Sequence, residues 1–283
     1  MNPRKEAAFP PGHFYSPVVD SVDVLGRRDV IWPDSPRVLG IDFNDTGHLQ
    51  VLREWFPRHM PLYDYPEHLV ESPDLKQFFT QNSQFSLLDA RALFVFLLEL
   101  KPRRMIEVGS GFSSLLTADV NHRFFDGSIR FTCIEPYPRA FLHEGVKGIS
   151  RLIQQRVEHV DPEVFSELEA GDVLFIDSSH VAKTGSDVNH LYFEVLPRLK
   201  PGVLVHIHDI FLPHEYPADW VVGENRSWNE QYLVRAMLMY SNAFEVVFGC
   251  SYAWHRYPEN VIRALAHPEG RGFGGGSLWI RRR

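Results

Sequence analysis

The sequence predicts an α/β fold: a doubly wound, mostly parallel sheet of seven strands behind an N-terminal extension. Three observations predict it. From residue 103 onward, short apolar runs alternate with segments of helical spacing, the pattern of right-handed crossovers on a parallel sheet. The first of those runs, residues 104–108, leads into Gly109-Ser110-Gly111-Phe112-Ser113-Ser114, a strand–turn–helix corner where glycine permits a tight turn and close approach of backbone to a ligand. Two late apolar runs, 244–250 and 277–281, flank a Gly-rich approach and read as an antiparallel pair.

The chain's 283 residues suffice for one large α/β domain with additions, or for two small domains. A hydrophobic fraction of 44% and an aromatic fraction of 13% suit a sizeable core. The net charge is −7 and the Lys and Arg are scattered, which argues against a nucleic-acid partner, since the phosphate backbone calls for a basic stripe. The terminal Arg281-Arg282-Arg283 is too short to change that. Cys133 and Cys250 each lie in an apolar run, which argues against a disulfide framework and fits a reducing compartment. No apolar segment of signal-peptide length follows Met1, and the longest apolar run, 92–98, is too short to span a bilayer. A soluble, cytoplasmic protein with no membrane partner is expected.

Taken in order, residues 1–58 are rich in Pro, Asp and aromatics with weak periodicity. Residues 10–17 read as extended or turning chain, because proline fixes φ and restricts its predecessor. Residues 24–26 and 38–41 read as short edge strands or loop anchors. The segment either packs as a tail on the main domain or, through His13, Phe14 and Tyr15, covers the substrate. Tyr63, Tyr65, Phe78, Phe79 and Phe85 are expected on one or two short helices. Ser86 reads as an N-cap, with Asp89 completing an approximate capping box, for a helix over 87–100 that is apolar nearly all round and so buried against the sheet. Lys101-Pro102 ends it. The chain thus divides into an extension or cap, 1–85, and a main domain, 86–283.

In the main domain, strands are expected at 104–108, 129–135, 150–157, 172–177 and 202–208, short and apolar enough to be buried on both faces. Helices are expected near 112–122, 136–147, 161–169 and 186–199. In the last of these, Val188, Leu191, Tyr192 and Val195 fall at i, i+3, i+4 and i+7 on one core face. A further helix, 228–240, aligns Tyr232, Leu233, Ala236, Met237 and Tyr240.

Two ligand classes use a corner like that at 107–114. A dinucleotide needs a third glycine for close helix packing, and Ser114 in that place breaks the fingerprint. The motif Glu107-Val108-Gly109-Ser110-Gly111 instead resembles the E-x-G-x-G first motif of class I S-adenosylmethionine (AdoMet) methyltransferases. The resemblance implies that the Gly109-Ser110-Gly111 loop holds the methionyl part of AdoMet and that Glu107 reaches its amino group, directly or through water. A plain strand–turn–helix without ligand is the alternative. Glu135, 26 residues after Gly109, ends the second strand, where an acid can accept both ribose hydroxyls or simply be solvated. Strands four and five end on Asp177-Ser178-Ser179-His180 and His208-Asp209. Ligands bind outside the carboxyl ends of such strands, so Asp177, His180, His208 and Asp209 should meet near the cofactor's sulfonium.

The order of motifs over residues 86–283 looks like that of the whole Rossmann-like class I fold. Residues 176–180 and 208–210 are similar to small-molecule O-methyltransferases of natural-product type. The resemblance implies an enzyme that transfers a methyl group from AdoMet to a small-molecule acceptor, at a hydroxyl oxygen. Metal-dependent members hold Mg²⁺ with an acid after strand four and a pair after strand five, where Asp177 and then His208 and Asp209 fall. His208 departs from that pattern, because Mg²⁺ prefers oxygen while imidazole suits Zn, Fe, Ni or Cu. Three readings stand open. A divalent metal is held by Asp177, His208 and Asp209. Alternatively, His180 or His208 is a metal-free general base. In the third, His206 and His208, alternating with Val205 and Ile207, serve only hydrogen bonding. Residues 211–230, with His214, Glu215, Tyr216, Trp220, Trp228 and Glu230, either line an acceptor pocket or pack at the surface. The rival functions are an NAD(P)-dependent oxidoreductase and an AdoMet-binding scaffold without turnover, and the extension either caps the domain or makes a homodimer.

Overall fold

The computed structural model describes residues 6–37, 39–69, 77–85, 87–265 and 275–283. Seven strands form one sheet: β1 (Arg104–Val108), β2 (Arg130–Ile134), β3 (Arg151–Ile153), β4 (Val173–Ile176), β5 (Leu204–Ile207), β6 (Phe244–Gly249) and β7 (Leu278–Arg282). Their order is β3-β2-β1-β4-β5-β7-β6. The first five pair in parallel, and β7 runs antiparallel to both β5 and β6. The connections reverse direction between β1 and β4, the switch point where such sheets leave a crevice.

Each buried strand alternates its side chains between two cores, one on each face. Met105 of β1 packs with the helices Leu87–Leu100 and Phe112–Phe125, while Ile106 and Val108 face the opposite core around Leu191, Val195 and Val234. Glu107 lies on the Met105 face, beneath helix Phe112–Phe125. Helix Leu87–Leu100 is apolar nearly all round because it is covered twice, by the sheet and by the extension. Val51, Leu52 and Phe56 of the extension lie in the same core.

The extension is more helical than its weak periodicity indicates. Residues 24–26 belong to helix Ser21–Gly26, whose N-cap Asp20 accepts the N–H groups of Val22 and Asp23, and not to an edge strand. Residues 39–41 form no strand, and Val38 lies outside the described residues. Asp45–His59 is one continuous helical run, closed by the turn Met60–Leu62. Residues 63–69 and 77–85 contain no helix, so the aromatics Tyr63, Phe78 and Phe85 pack from irregular chain. The expected capping box involves Ser86 and so lies outside the described residues; the Asp89 carboxylate accepts the N–H groups of Gly276 and Ser277 at 3.0 and 2.8 Å, fastening the start of β7. Residues 266–274, with most of the Gly-rich approach, are also outside the description.

Two crossover helices and one strand are shorter than expected. Only Ala140–His143 of 136–147 is helical, since Pro136 and Pro138 hold the entry extended and Gly145 and Gly148 leave at positive φ. Of 161–169 only Glu163–Ser166 is helical, and β3 stops at Ile153.

Candidate active site

The backbone ladder continues past the strand ends and sets the site residues in a row. Gly109 N–H donates to Ile134 O at 3.0 Å, Asp177 N–H to Val108 O at 2.9 Å, and His208 N–H to Ile176 O at 2.9 Å. Gly109, Asp177 and His208 therefore lie side by side at the carboxyl edge of the sheet, with Glu135 beside Gly109.

Two cavities open along this edge. The smaller, about 350 Å³, is lined by Ile134, Glu135, Arg156, Val157 and Asp187 among others. The larger, about 840 Å³, is lined by the glycine loop, His180, His208, Asp209, Trp220 and Trp228 among others. Gly109, Glu135 and Asp177 line both. Ser178 also lines both, and its buried hydroxyl has no hydrogen-bond partner among the described residues. Phe85, with Ser83 and Gln84, brings the extension into the wall of the larger cavity, whereas His13, Phe14 and Tyr15 line neither.

Glu107 does not reach the cavities. It is fully buried, and its carboxylate accepts the hydroxyls of Ser113 (2.6 Å) and Ser114. Burial, partly offset by these hydrogen bonds, pushes its pKa up to about 7. Ser114 Oγ in turn accepts the N–H of Gly111 at 3.0 Å, so the serine in the third-glycine position stitches loop, helix and strand together. Strand alternation turns its side chain under the helix, so any contact with a ligand's amino group would not be made directly from the cavity wall. Glu135 does line the cavities. Its carboxylate accepts the N–H groups of Ser110 (3.1 Å) and Tyr137 (2.7 Å). Four lone-pair sites on a carboxylate leave room for further donors.

Asp177, His180, His208 and Asp209 come together as expected. His180 is 5% exposed and its φ is +59°. Its Nε2 faces Asp177 at 3.4 Å and Asp209 at 3.5 Å, and its Nδ1 meets Glu230 at 2.9 Å. Glu230, fully buried, also accepts the hydroxyl of Tyr192 at 3.0 Å. Burial alone would lower the His180 pKa, but Asp177 and Glu230 push it up to about 10. Asp177, whose side chain is 30% exposed, is held below its ordinary value against burial by the charges of His208 and His180. For His208, whose Nε2 lies 3.5 Å from Asp209, burial acts downward and is outweighed by Asp209 and Asp177, so its pKa is raised. His206 is the bonding histidine: it stacks on Phe175 at 3.8 Å, pairs with Ser277 Oγ at 2.8 Å, and burial depresses its pKa.

This geometry bears on two expectations. His180 is not a free base, because both its ring nitrogens already face carboxylates that keep it an imidazolium at neutral pH. Nor do Asp177, His208 and Asp209 fit a metal as they stand. Among the described residues no group of three or more His, Cys, Asp or Glu is arranged to hold a metal ion.

Of residues 211–230, Trp220, Glu224, Arg226 and Trp228 line the larger cavity, while His214 and Glu215 line a separate one with Trp32. Arg226 lies between the indoles of Trp220 (4.3 Å) and Trp228 (4.8 Å), and Trp228 packs on His180 at 4.4 Å. Sequence reasoning missed Glu230 as the partner of His180, and missed Arg139 and Gln84 in the cavity wall. An arginine four residues after the strand-end acid was the one local signal for these. Among the described residues no helix is long and apolar enough to cross a membrane, and Cys133 and Cys250 are both buried free thiols.

Residues 106–210, the span that holds this row of strand ends, match a family described as a methyltransferase domain. An uncharacterized protein of Archaeoglobus fulgidus is 40% identical over 166 residues, covering 57% of this chain and 74% of that protein. Among solved structures, a chain from Thermobifida fusca provisionally named a methyltransferase aligns with a TM-score of 0.44 at 15% identity, over 69% of this chain and 78% of that one. An O-methyltransferase family 2 protein from Planctomyces limnophilus, in complex with apigenin, aligns with a TM-score of 0.40 at 13% identity, over 93% of this chain and 60% of that one. Structural likeness at this level says nothing of the acceptor. The family match and the glycine-cornered switch point together identify residues 106–210 as the methyltransferase domain of a class I S-adenosylmethionine-dependent methyltransferase.

Proposed function

We propose that this enzyme methylates a hydroxyl oxygen of a small-molecule acceptor. The observation that carries the reading is the meeting of Asp177 with both cavities, so that one carboxylate borders a nucleoside-sized space and a larger space walled by Phe85, Trp220 and Trp228. The residues present fit AdoMet. Glu135 has lone pairs free for ribose hydroxyls, Ser178 offers an unpartnered hydroxyl, and a Cβ at Gly111 would meet open space, leaving the loop accessible.

AdoMet supplies a methyl group on a positively charged sulfur, already activated for displacement. Asp177 orients the acceptor hydroxyl and takes its proton as the new O–C bond forms. A carboxylate is a weak base, yet it suffices, because the hydroxyl proton becomes strongly acidic as the oxygen gains its methyl group. His180, held cationic by Glu230, fixes Asp177 and Asp209 in place. Trp220 and Trp228 exclude water, and alignment of acceptor and methyl donor supplies the rest of the rate.

Thermal unfolding with AdoMet, S-adenosylhomocysteine, NAD⁺ and NADP⁺ tests the cofactor assignment. A ligand at about 100 times its Kd stabilises by about 2.7 kcal/mol. A shift with AdoMet and S-adenosylhomocysteine alone is expected, and a shift with a nicotinamide cofactor instead would overturn the reading. Release of S-adenosylhomocysteine in the presence of hydroxylated aromatic or glycosidic compounds then tests the acceptor class.

A further inference from the structure

AdoMet carries three charges close together: the sulfonium, the α-ammonium and the α-carboxylate. Asp177 lies where it can offset the positive groups, but the carboxylate needs a cation or several N–H donors of its own. The glycine-loop wall of the larger cavity holds such a cation. Arg139 directly precedes the short helix Ala140–His143. Its guanidinium lies 5.1 Å from the ring centre of Phe112, the residue that follows Gly111, and its Nη2 donates to Gln84 Oε1 at 2.5 Å. The other arginine lining that cavity, Arg226, is paired with Glu224, and Arg156 of the smaller cavity is paired with Glu158. Arg139 has no carboxylate partner among the described residues. A guanidinium presents five N–H donors in a planar fork, so a single hydrogen bond to Gln84 leaves it free to grip a carboxylate with two.

We propose that Arg139, steadied by Phe112 and Gln84, is the receptor for the α-carboxylate of AdoMet. The inference rests on the cofactor placement proposed above. It gives the N-terminal extension a part in cofactor binding, since Gln84 orients the arginine from the segment that precedes the main domain.

Isothermal titration of the full-length protein with AdoMet and with decarboxylated AdoMet, which keeps the amine and sulfonium, tests it without any acceptor. The unsubstituted protein should bind AdoMet more tightly than the decarboxylated form. Arg139→Gln should weaken AdoMet by roughly tenfold or more, the worth of a charge-assisted hydrogen bond, while leaving the decarboxylated form within about twofold. Arg139→Lys should restore part of the loss. Equal weakening of both ligands, or of neither, would overturn the assignment to Arg139. If the unsubstituted protein binds neither compound, it is the cofactor reading that fails.

Discussion

A Cβ on Gly109 would lie 1.7 Å from the carbonyl oxygen of Asp177. The first glycine of the loop is therefore required by the neighbouring strand end, and its φ of +81° adds a second reason. Gly111 differs, for a Cβ there would meet nothing within 4 Å. Gly109→Ala should cost roughly 2–4 kcal/mol in urea unfolding and separate β1 from β4. Gly111→Ala should unfold within ~1 kcal/mol of the parent and lose AdoMet affinity in titration. The reverse pattern would show that the two glycines have exchanged roles.

Glu107 makes stability depend on pH. Its pKa is raised from 4.5 to about 7 in the folded state, so between those values the native protein holds more protons than the unfolded chain. Stability should fall as pH rises through that window and be level above it, by up to ~3 kcal/mol at 1.36 kcal/mol per pKa unit. Glu107→Gln, whose carbonyl oxygen can still accept one of the two serine hydroxyls, should flatten that slope. Urea unfolding at pH 5 and pH 8 for both proteins measures it.

The buried pair of His180 and Glu230 contributes with its own pH window. The histidine pKa is raised from 6.5 to about 10, so its contribution is whole below pH 6.5 and is lost as pH rises through 10. Glu230→Gln should destabilise by roughly 1.5–3 kcal/mol at pH 6 and noticeably less at pH 10. Equal losses at both values would show that His180 is neutral in the folded protein.

Asp177→Asn separates chemistry from binding. Turnover should fall about 10²–10⁴-fold, the range for loss of a positioned proton acceptor, with AdoMet affinity changed only a few-fold. A loss confined to AdoMet affinity would make Asp177 a cofactor ligand and leave the proton without this acceptor.

Turnover should survive EDTA, because the His180 imidazolium already holds Asp177 and Asp209 together. Loss of turnover with EDTA that Mg²⁺ or Zn²⁺ restores would reinstate the metal reading of Asp177, His208 and Asp209.

The sequence by itself determined the sheet, because the strands from Arg104 to Ile207 are short apolar runs whose signal is local and whose crossovers have one allowed hand. It also determined which residues end those strands, and hence that Asp177, His180, His208 and Asp209 would meet at one edge. The helices over 21–26 and 45–62 were not legible, since their stability comes from Asp20 capping and from Phe56 and Leu52 entering a distant core rather than from periodicity. Tertiary structure alone decided the chemical state of the site. His180 meets its buried partner Glu230, 50 residues later in the chain, and Glu107 takes its partners from hydroxyls on the helix above it. Gln84 reaches Arg139 from 55 residues away. Local pattern sets where a backbone ends and turns, whereas protonation and hydrogen-bond partnership depend on burial and on groups brought together only by folding.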